Sequence, residues 1–151
     1  MEALITVLDI DVRSRRMGRL IWPMIEDRST EIVEAFYAGA CHLAADPSRS
    51  LHAIDRLKAC QHQHWKGLFE GRFDDAYVRS ASLLGIAHCE LGLDCKWHVI
   101  GYARMKSELT RDILGSSLSA TSQVQLLAVL DKYLAIDMAI SLSSYSCILL
   151  D

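Results

Sequence analysis

One histidine, His88, occupies a position where the surrounding pattern predicts a buried side chain. Helical spacing places it on one stripe with Tyr77, Ala81 and Leu84, so its imidazole is expected to face the core. A buried imidazole without hydrogen-bond partners costs roughly 1–3 kcal/mol. One interpretation is a core histidine that bonds a backbone carbonyl. The other is an axial ligand, whose Nε2 binds iron while its Nδ1 proton bonds a carbonyl one turn back. Periodicity alone leaves both open.

The composition indicates one globular domain. The chain has 151 residues, 51% of them hydrophobic, which suits one complete core but leaves no room for a second folded unit. The formal net charge is −3 and the 16 basic residues are scattered, so a nucleic acid is not an expected partner. No apolar run approaches the roughly 20 residues that span a bilayer, and the first residues lack the features of a secretory signal. We therefore expect a cytoplasmic protein without a membrane partner.

The cysteines are interpreted as reduced thiols that mostly fill the core. Their number is odd, and they form neither a CxxC motif nor a zinc-binding spacing with histidine. They are Cys41, Cys60, Cys89, Cys95 and Cys147. The sequence also lacks a Ser-His-Asp arrangement, a phosphate-binding glycine loop and paired acids, so no catalytic residue is assigned and an enzyme is not expected.

Apolar periodicity predicts an all-α fold of six or more helices without a sheet. The predicted helices, in chain order, cover residues 12–25, 27–43, 51–69, 75–91, 96–114 and 120–145. Pro23 lies within or ends the first of these helices, and Gly92 ends the fourth. The predicted N-caps are Ser29, Asp74 or Asp75, Asp94, and Ser119 or Thr121.

Several segments around His88 form a recognisable pattern. They are Leu57-Lys58, the run from His64 to Asp75, the run from Ile86 to Leu93, Lys96-Trp97 and the upstream pair Phe36-Tyr37. In residue type and spacing this pattern resembles the sensor globin of the globin-coupled sensor family. The resemblance extends from the leading helix near Arg13 to the last helix near Tyr145. It implies a globin fold in a single domain over residues 1–151, with a core covering roughly 12–146.

The resemblance also implies a haem site. His88 would be the proximal iron ligand of a b-type haem, because the chain has no CxxCH motif that would attach the haem covalently. Tyr37 matches the family's distal tyrosine, whose phenol donates a hydrogen bond to bound O₂. Leu57 and Cys60 match positions that line the distal side in relatives. Leu57 would exclude water, and the Cys60 thiol is a weaker donor than the hydroxyl residue that a relative can carry there.

Other residues are weaker candidates for the haem pocket. His64 continues the stripe of Leu57 and Cys60 and is a candidate for the haem edge or a propionate, with a polar contact between helices near the surface as the alternative. His98 stands where relatives usually carry a tyrosine near the proximal side. It is expected to alter the hydrogen bonding of His88 or to compete weakly for iron. The candidates for the haem envelope, which ordinary core packing explains equally well, are Phe36, Leu84, Trp97 and Val99.

The function that the resemblance implies is sensing of O₂, with CO and NO as further ligands. In relatives the last two helices pair across a homodimer and pass the signal to a methyl-accepting signalling domain, a diguanylate cyclase or a kinase. This chain has no room for such an output domain, so it is expected to be part of a longer protein or a free-standing sensor globin.

Two alternatives belong to other classes of protein. One is a haem-free globin-like interaction module, against which the histidine at position 88 counts. The other is a globin that consumes NO or turns over peroxide, which would need a reductase partner or a distal acid–base pair. Only His64 is a candidate for that pair.

Overall fold

The structure, a computed structural model, describes residues 1–40 and 51–148, with side chains from 1–39 and 54–144. Within these ranges it contains six α-helices and no strand, as the sequence predicts. The helices are α1 (Glu2–Val7), α2 (Val12–Ala40), α3 (Leu51–Glu70), α4 (Asp75–Glu90), α5 (Cys95–Gly115) and α6 (Ala120–Ile148). Helix α1 was not predicted. It has only six residues, too few to show a clear helical period, although Leu4 and Ile5 pack against the core.

Helix α2 corrects the prediction of two separate helices in this region. It continues through Pro23, whose exposed ring lies inside the helix. Ser29 is no N-cap but a buried residue in mid-helix. Its hydroxyl donates to the carbonyl of Glu26 and lies 2.9 Å from Nδ1 of His62 on α3. Serine bonds a nearby backbone group both at a cap and within a helix, so its residue type did not distinguish the two.

The predicted capping residues of α4, Asp74 and Gly92, are confirmed, and they fix this helix at both ends. Asp74 caps its start by accepting a hydrogen bond from the backbone N–H of Tyr77 at 2.9 Å. Gly92 follows its end with φ of 73°, a conformation that glycine adopts at little cost. There the N–H of Leu93 bonds the carbonyl of His88 and the N–H of Gly92 bonds that of Cys89, which is a Schellman motif. The last turn of α4, which carries His88, is therefore fixed.

Helices α4 and α6 approach each other through Gly85. A Cβ atom at this position would lie 2.2 Å from the backbone carbonyl oxygen of Ser141 on α6. Real Cβ atoms do not come so close to an oxygen, and the obstacle is backbone that cannot rotate away. The two helix backbones can therefore pack at this distance only because residue 85 lacks a side chain.

We expect Gly85→Ala to destabilise the fold by about 1–3 kcal/mol, as overpacking usually does. The matched control is Gly67→Ala on α3, because a Cβ there would meet no described atom within 4 Å. Alanine at that position should be neutral or stabilise by up to about 1 kcal/mol. Urea unfolding followed by circular dichroism compares the two variants. Equal stability of the two would contradict the close packing of α4 on α6.

Two expectations from the sequence concern the surface. The interpretation of the cysteines as core residues is wrong for Cys60 and Cys95, which are exposed, while Cys89 is partly buried. Cys41 and the side chain of Cys147 lie outside the described residues. Within residues 1–40 and 51–148, the structure contains no helix of the length and apolarity needed to cross a bilayer.

Candidate functional site

The predicted burial of His88 is confirmed, and both of its ring nitrogens have partners. Its side chain lies in the core, with Nδ1 2.6 Å from the carbonyl oxygen of Leu84, one turn earlier on α4. A carbonyl only accepts hydrogen bonds, so Nδ1 carries the proton and Nε2 has the lone pair. Burial lowers the pKa of His88, which keeps the imidazole neutral near pH 7 despite the opposing effect of the Leu84 carbonyl. This is the protonation state that a histidine needs to bind a metal.

Tyr37 contacts the lone pair of His88. Its hydroxyl lies 2.7 Å from Nε2 and donates to it, since Nε2 carries no proton. Tyr37 is buried on α2, where Phe36 packs against it edge to face at 5.1 Å. Phe36 also fixes α2 against α5, because its ring fills the space that a Cβ of Gly101 would need. The structure therefore brings together the two residues that the sequence proposed for opposite sides of a haem.

A small cavity of about 40 Å³ adjoins this pair. Tyr37, His88 and His98 contribute to its lining, together with Trp65. Within the part of the chain that the structure describes, the buried indole N–H of Trp65 has no hydrogen-bond partner. A cavity needs at least about 10–15 Å³ to hold one water molecule, so this one has room for a small polar guest.

A larger groove of about 580 Å³ lies between α3 and α4. Leu57 and Cys60 line it from α3, and Leu84, Ala87 and Leu91 line it from α4. Its volume falls within the roughly 300–1,000 Å³ of small-molecule and cofactor sites. Leu84 joins the groove to His88, because this residue contributes to the lining of the groove and its carbonyl accepts a hydrogen bond from the histidine ring.

His64 lies in a different environment from the one that its stripe suggested. It is buried, with Nδ1 2.9 Å from the hydroxyl of Ser80 and Nε2 2.6 Å from the carboxylate of Asp137 on α6. Neither the small cavity nor the groove has His64 in its lining. The arrangement is the polar contact between helices that was the alternative, but it is buried and not near the surface. The predicted role at a haem edge receives no support from this placement.

His98 and Trp97 occupy neighbouring but different positions on α5. The buried ring of His98 stands edge-on to that of His88, with 4.9 Å between the ring centroids. Burial, and next the nearby His88, lower the pKa of His98 to about 4, so its ring is neutral near pH 7. Trp97 is partly buried and Val99 is exposed, and neither lines the small cavity or the groove.

A buried carboxylate, Asp137, was not predicted from the sequence. It is fully buried on α6 and accepts hydrogen bonds from His64, from the hydroxyl of Tyr77 at 2.6 Å and from that of Tyr102 at 2.8 Å. These donors come from α3, α4 and α5, so one side chain joins four helices. A charged residue on the apolar stripe of a helix was the available signal, because such a residue needs buried partners.

We expect acid to weaken the fold through Asp137. Burial alone would raise the pKa of its carboxyl, but neighbouring His64 and the hydrogen bonds from His64, Tyr77 and Tyr102 lower it below the ordinary 3.8. A lowered pKa stabilises the folded state above the ordinary value, and this contribution is lost as the pH falls through the folded pKa. Urea unfolding between about pH 7 and pH 3 should show a decline in stability that begins near pH 4.

The decline in stability at low pH should be smaller in Asp137→Asn, because the asparagine side chain does not titrate. The control is Asp131→Asn on the same helix, where the exposed carboxylate pairs with Lys106. Its pH profile should match that of the unmodified protein, since exposed ion pairs contribute about 0–1 kcal/mol. An Asp137→Asn profile as steep as that of the unmodified protein would assign the acid sensitivity to other groups.

Comparison with known proteins identifies the family. The sequence profile of the protoglobin family matches residues 1–147. Among solved structures, the globin domain of the Geobacter sulfurreducens globin-coupled sensor is similar, with a TM-score of 0.78 over 96% of this chain and 97% of that chain. The sequences are 16% identical, so this likeness shows a shared globin fold and nothing finer. The curated proteins contain no match. The chain belongs to the protoglobin family and is a globin-type haem domain.

Proposed function

We propose that this domain binds haem b through His88 and senses O₂. The observation that carries the proposal is the protonation of His88, whose Nδ1 proton is held by Leu84 while the Nε2 lone pair is directed towards α2. A neutral imidazole fixed in this way is the usual axial ligand of haem iron in globins. Haem bound there supplies reversible binding of O₂, CO or NO.

The residues around His88 fit such a group. The groove between α3 and α4 offers apolar contacts from Leu57, Leu84, Ala87 and Leu91, of which Ala87 is the chain neighbour of His88. Coordination and burial would hold the haem, because the sequence lacks a CxxCH motif for covalent attachment. The hydroxyl of Tyr37 occupies the lone pair that would bind iron. For His88 to hold the haem iron, the hydrogen bond from Tyr37 would have to break and leave Nε2 available.

Tyr37 then has a second role in the proposal. Its phenol remains a hydrogen-bond donor on the side of the pocket opposite His88, in surroundings from which water is largely excluded. A donor of this kind stabilises O₂, which carries partial negative charge when it binds, more than it stabilises the less polar CO. Cys60 is exposed at the groove and offers a much weaker donor.

Movement of α4 is the proposed signal. His88 and Gly85 lie on the same helix, and Gly85 packs directly on the backbone of α6. A shift of His88 therefore displaces α6, because the tight contact at Ser141 leaves no space to absorb it. We propose that α5 and α6 form a homodimer interface and pass the change to an output domain or partner. Exposed apolar residues support this interface, namely Val99, Ile100, Leu114 and Val124.

An absorption spectrum tests haem binding and ligand binding directly. The purified protein is reconstituted with haem, reduced under nitrogen, and then exposed to CO or O₂. We expect a Soret band that shifts on reduction and shifts again with each gas. A reconstituted protein without these shifts would refute the proposed function.

Hydrogen exchange tests the signalling part separately. Amides of α4 and α6 should exchange at different rates in the O₂-bound and the deoxygenated protein, whereas amides of α1 should not. Sedimentation of the same samples measures the dimer. Identical exchange in both states would remove the proposed signal but leave haem binding intact.

A further inference from the structure

We infer that Ser141 and Asp137 of α6 are positioning residues for His88, and that they act through His98. This inference rests on the proposed function, in which His88 binds the iron. It starts from the hydrogen bonds of the Asp137 carboxylate. Oδ1 accepts from His64 and Tyr77, and Oδ2 accepts from Tyr102.

Tyr102 lies between this carboxylate and Ser141. It donates its single hydroxyl proton to Oδ2 of Asp137, so it does not also donate to Ser141. Its hydroxyl oxygen lies 3.3 Å from Oγ of Ser141, which is one turn beyond Asp137 on α6. Oγ of Ser141 donates its single proton to the backbone carbonyl of Asp137 at 2.9 Å. With its proton in that bond, this oxygen can only accept a hydrogen bond from His98.

The orientation of His98 follows from this assignment. Nε2 of His98 lies 2.8 Å from Oγ of Ser141 and must donate to it, so the proton of the neutral ring is on Nε2. The ring of Tyr102 packs on His98 with 5.0 Å between centroids. Ser141 itself cannot shift towards α4, because Gly85 already packs on its carbonyl. His98 is thus held by groups that are fixed in turn by two neighbouring helices.

His98 forms one wall of the space in which the His88 ring lies. The two rings meet edge to face at 80°, whereas the ring of Tyr37 lies 6.0 Å from His88 at 27°. Rotation of the His88 ring is restricted from both directions, and the Leu84 carbonyl holds Nδ1. With haem in place, Nε2 would no longer be available to Tyr37, and that restriction would be lost. His98 would then be the remaining ring that fixes the plane of the His88 imidazole.

The test compares Ser141→Ala with Ser144→Ala. Both serines are buried on α6, but among the described residues the hydroxyl of Ser144 bonds only the carbonyl of Ile140 in its own helix. Resonance Raman spectra of the reduced, haem-loaded variants report the iron–histidine stretching band. We expect this band to shift in Ser141→Ala and to stay in place in Ser144→Ala. Haem loss to an excess of apomyoglobin should also be faster in Ser141→Ala by on the order of 10-fold, as for other outer-shell partners of metal ligands.

A second measurement uses the haem-free protein and does not depend on loading. The ¹⁵N and ¹H resonances of the His88 imidazole should move in Ser141→Ala and in Asp137→Asn, but not in Ser144→Ala. Asparagine at position 137 keeps one acceptor oxygen, which is too few for three donors. Unchanged His88 resonances in Ser141→Ala, or equal changes in both serine variants, would overturn the inference. Failure of the unmodified protein to bind haem would instead refute the proposed function, and the haem-free measurement would still decide the role of Ser141.

Discussion

Replacing His88 by alanine should abolish the Soret shifts that reduction and CO produce in the reconstituted protein. His88 is a buried neutral imidazole whose Nε2 lone pair points into the space between α2 and α4. Other nearby imidazoles are committed elsewhere, because Nε2 of His64 bonds Asp137 and Nε2 of His98 bonds Ser141. Without coordination, only apolar contacts in the groove would retain the haem. We expect its affinity to fall by more than about 100-fold, beyond the usual cost of losing an outer-shell partner.

Two controls separate loss of the ligand from loss of the fold. His62→Ala removes a half-buried histidine that contacts Ser29 and Trp22 away from the pocket, and it should leave the spectrum unchanged. His88→Gly leaves space for imidazole added from solution, which should restore a ligand to the iron and with it the spectrum. A His88→Ala protein that folds and keeps the unmodified spectrum would show that another residue binds the iron.

The local spacing of apolar residues was sufficient to predict most of the helices and the burial of His88. Its stripe with Tyr77, Ala81 and Leu84 predicted the inward direction that the structure has. Local chemistry also predicted the cap at Asp74 and the stop at Gly92. These features depend on residues within two turns of one another, so a single sequence contains the necessary information.

Contacts between distant parts of the chain were not predictable in the same way. Pro23 would usually end a helix, but burial of Ile21 and Ile25 on either side stabilises α2 through it. The partners of Asp137 come from three other helices, and no local rule names them. The partners of His64 were also not predictable from the local pattern. His64 shares a stripe with Leu57, which lines the groove with α4. The ring nitrogens of His64 instead bond Asp137 on α6 and Ser80 on α4.

The assignment of Tyr37 depended on the resemblance and not on periodicity. An inward tyrosine on α2 is most simply a core residue, and nothing in its spacing names His88 as its partner. The structure adds the hydrogen bond between them, which joins residues 51 positions apart. This contact gives the phenol a measurable role both before and after haem is bound.

Replacing Tyr37 by phenylalanine should speed the dissociation of O₂ by roughly 10–100-fold. A hydrogen bond to a group that carries charge contributes about 1.5–3 kcal/mol, and each 1.4 kcal/mol corresponds to a factor of ten. CO dissociation should change much less, because CO is a poor acceptor. Phenylalanine keeps the ring that packs against Phe36, so the fold should be preserved. Stopped-flow displacement of each gas measures both rates.

The same substitution should have a second effect before any gas binds. In the haem-free chain the Tyr37 hydroxyl competes for the lone pair of His88, and phenylalanine cannot. Haem should therefore associate faster with Tyr37→Phe than with the unmodified protein. A matched control is Tyr133→Phe, which removes a hydroxyl from a buried tyrosine on α6 that contacts Phe69 and Phe73. Faster haem association without faster O₂ dissociation would restrict Tyr37 to the haem-free state, and the reverse result would mean that its bond to His88 is too weak to delay haem.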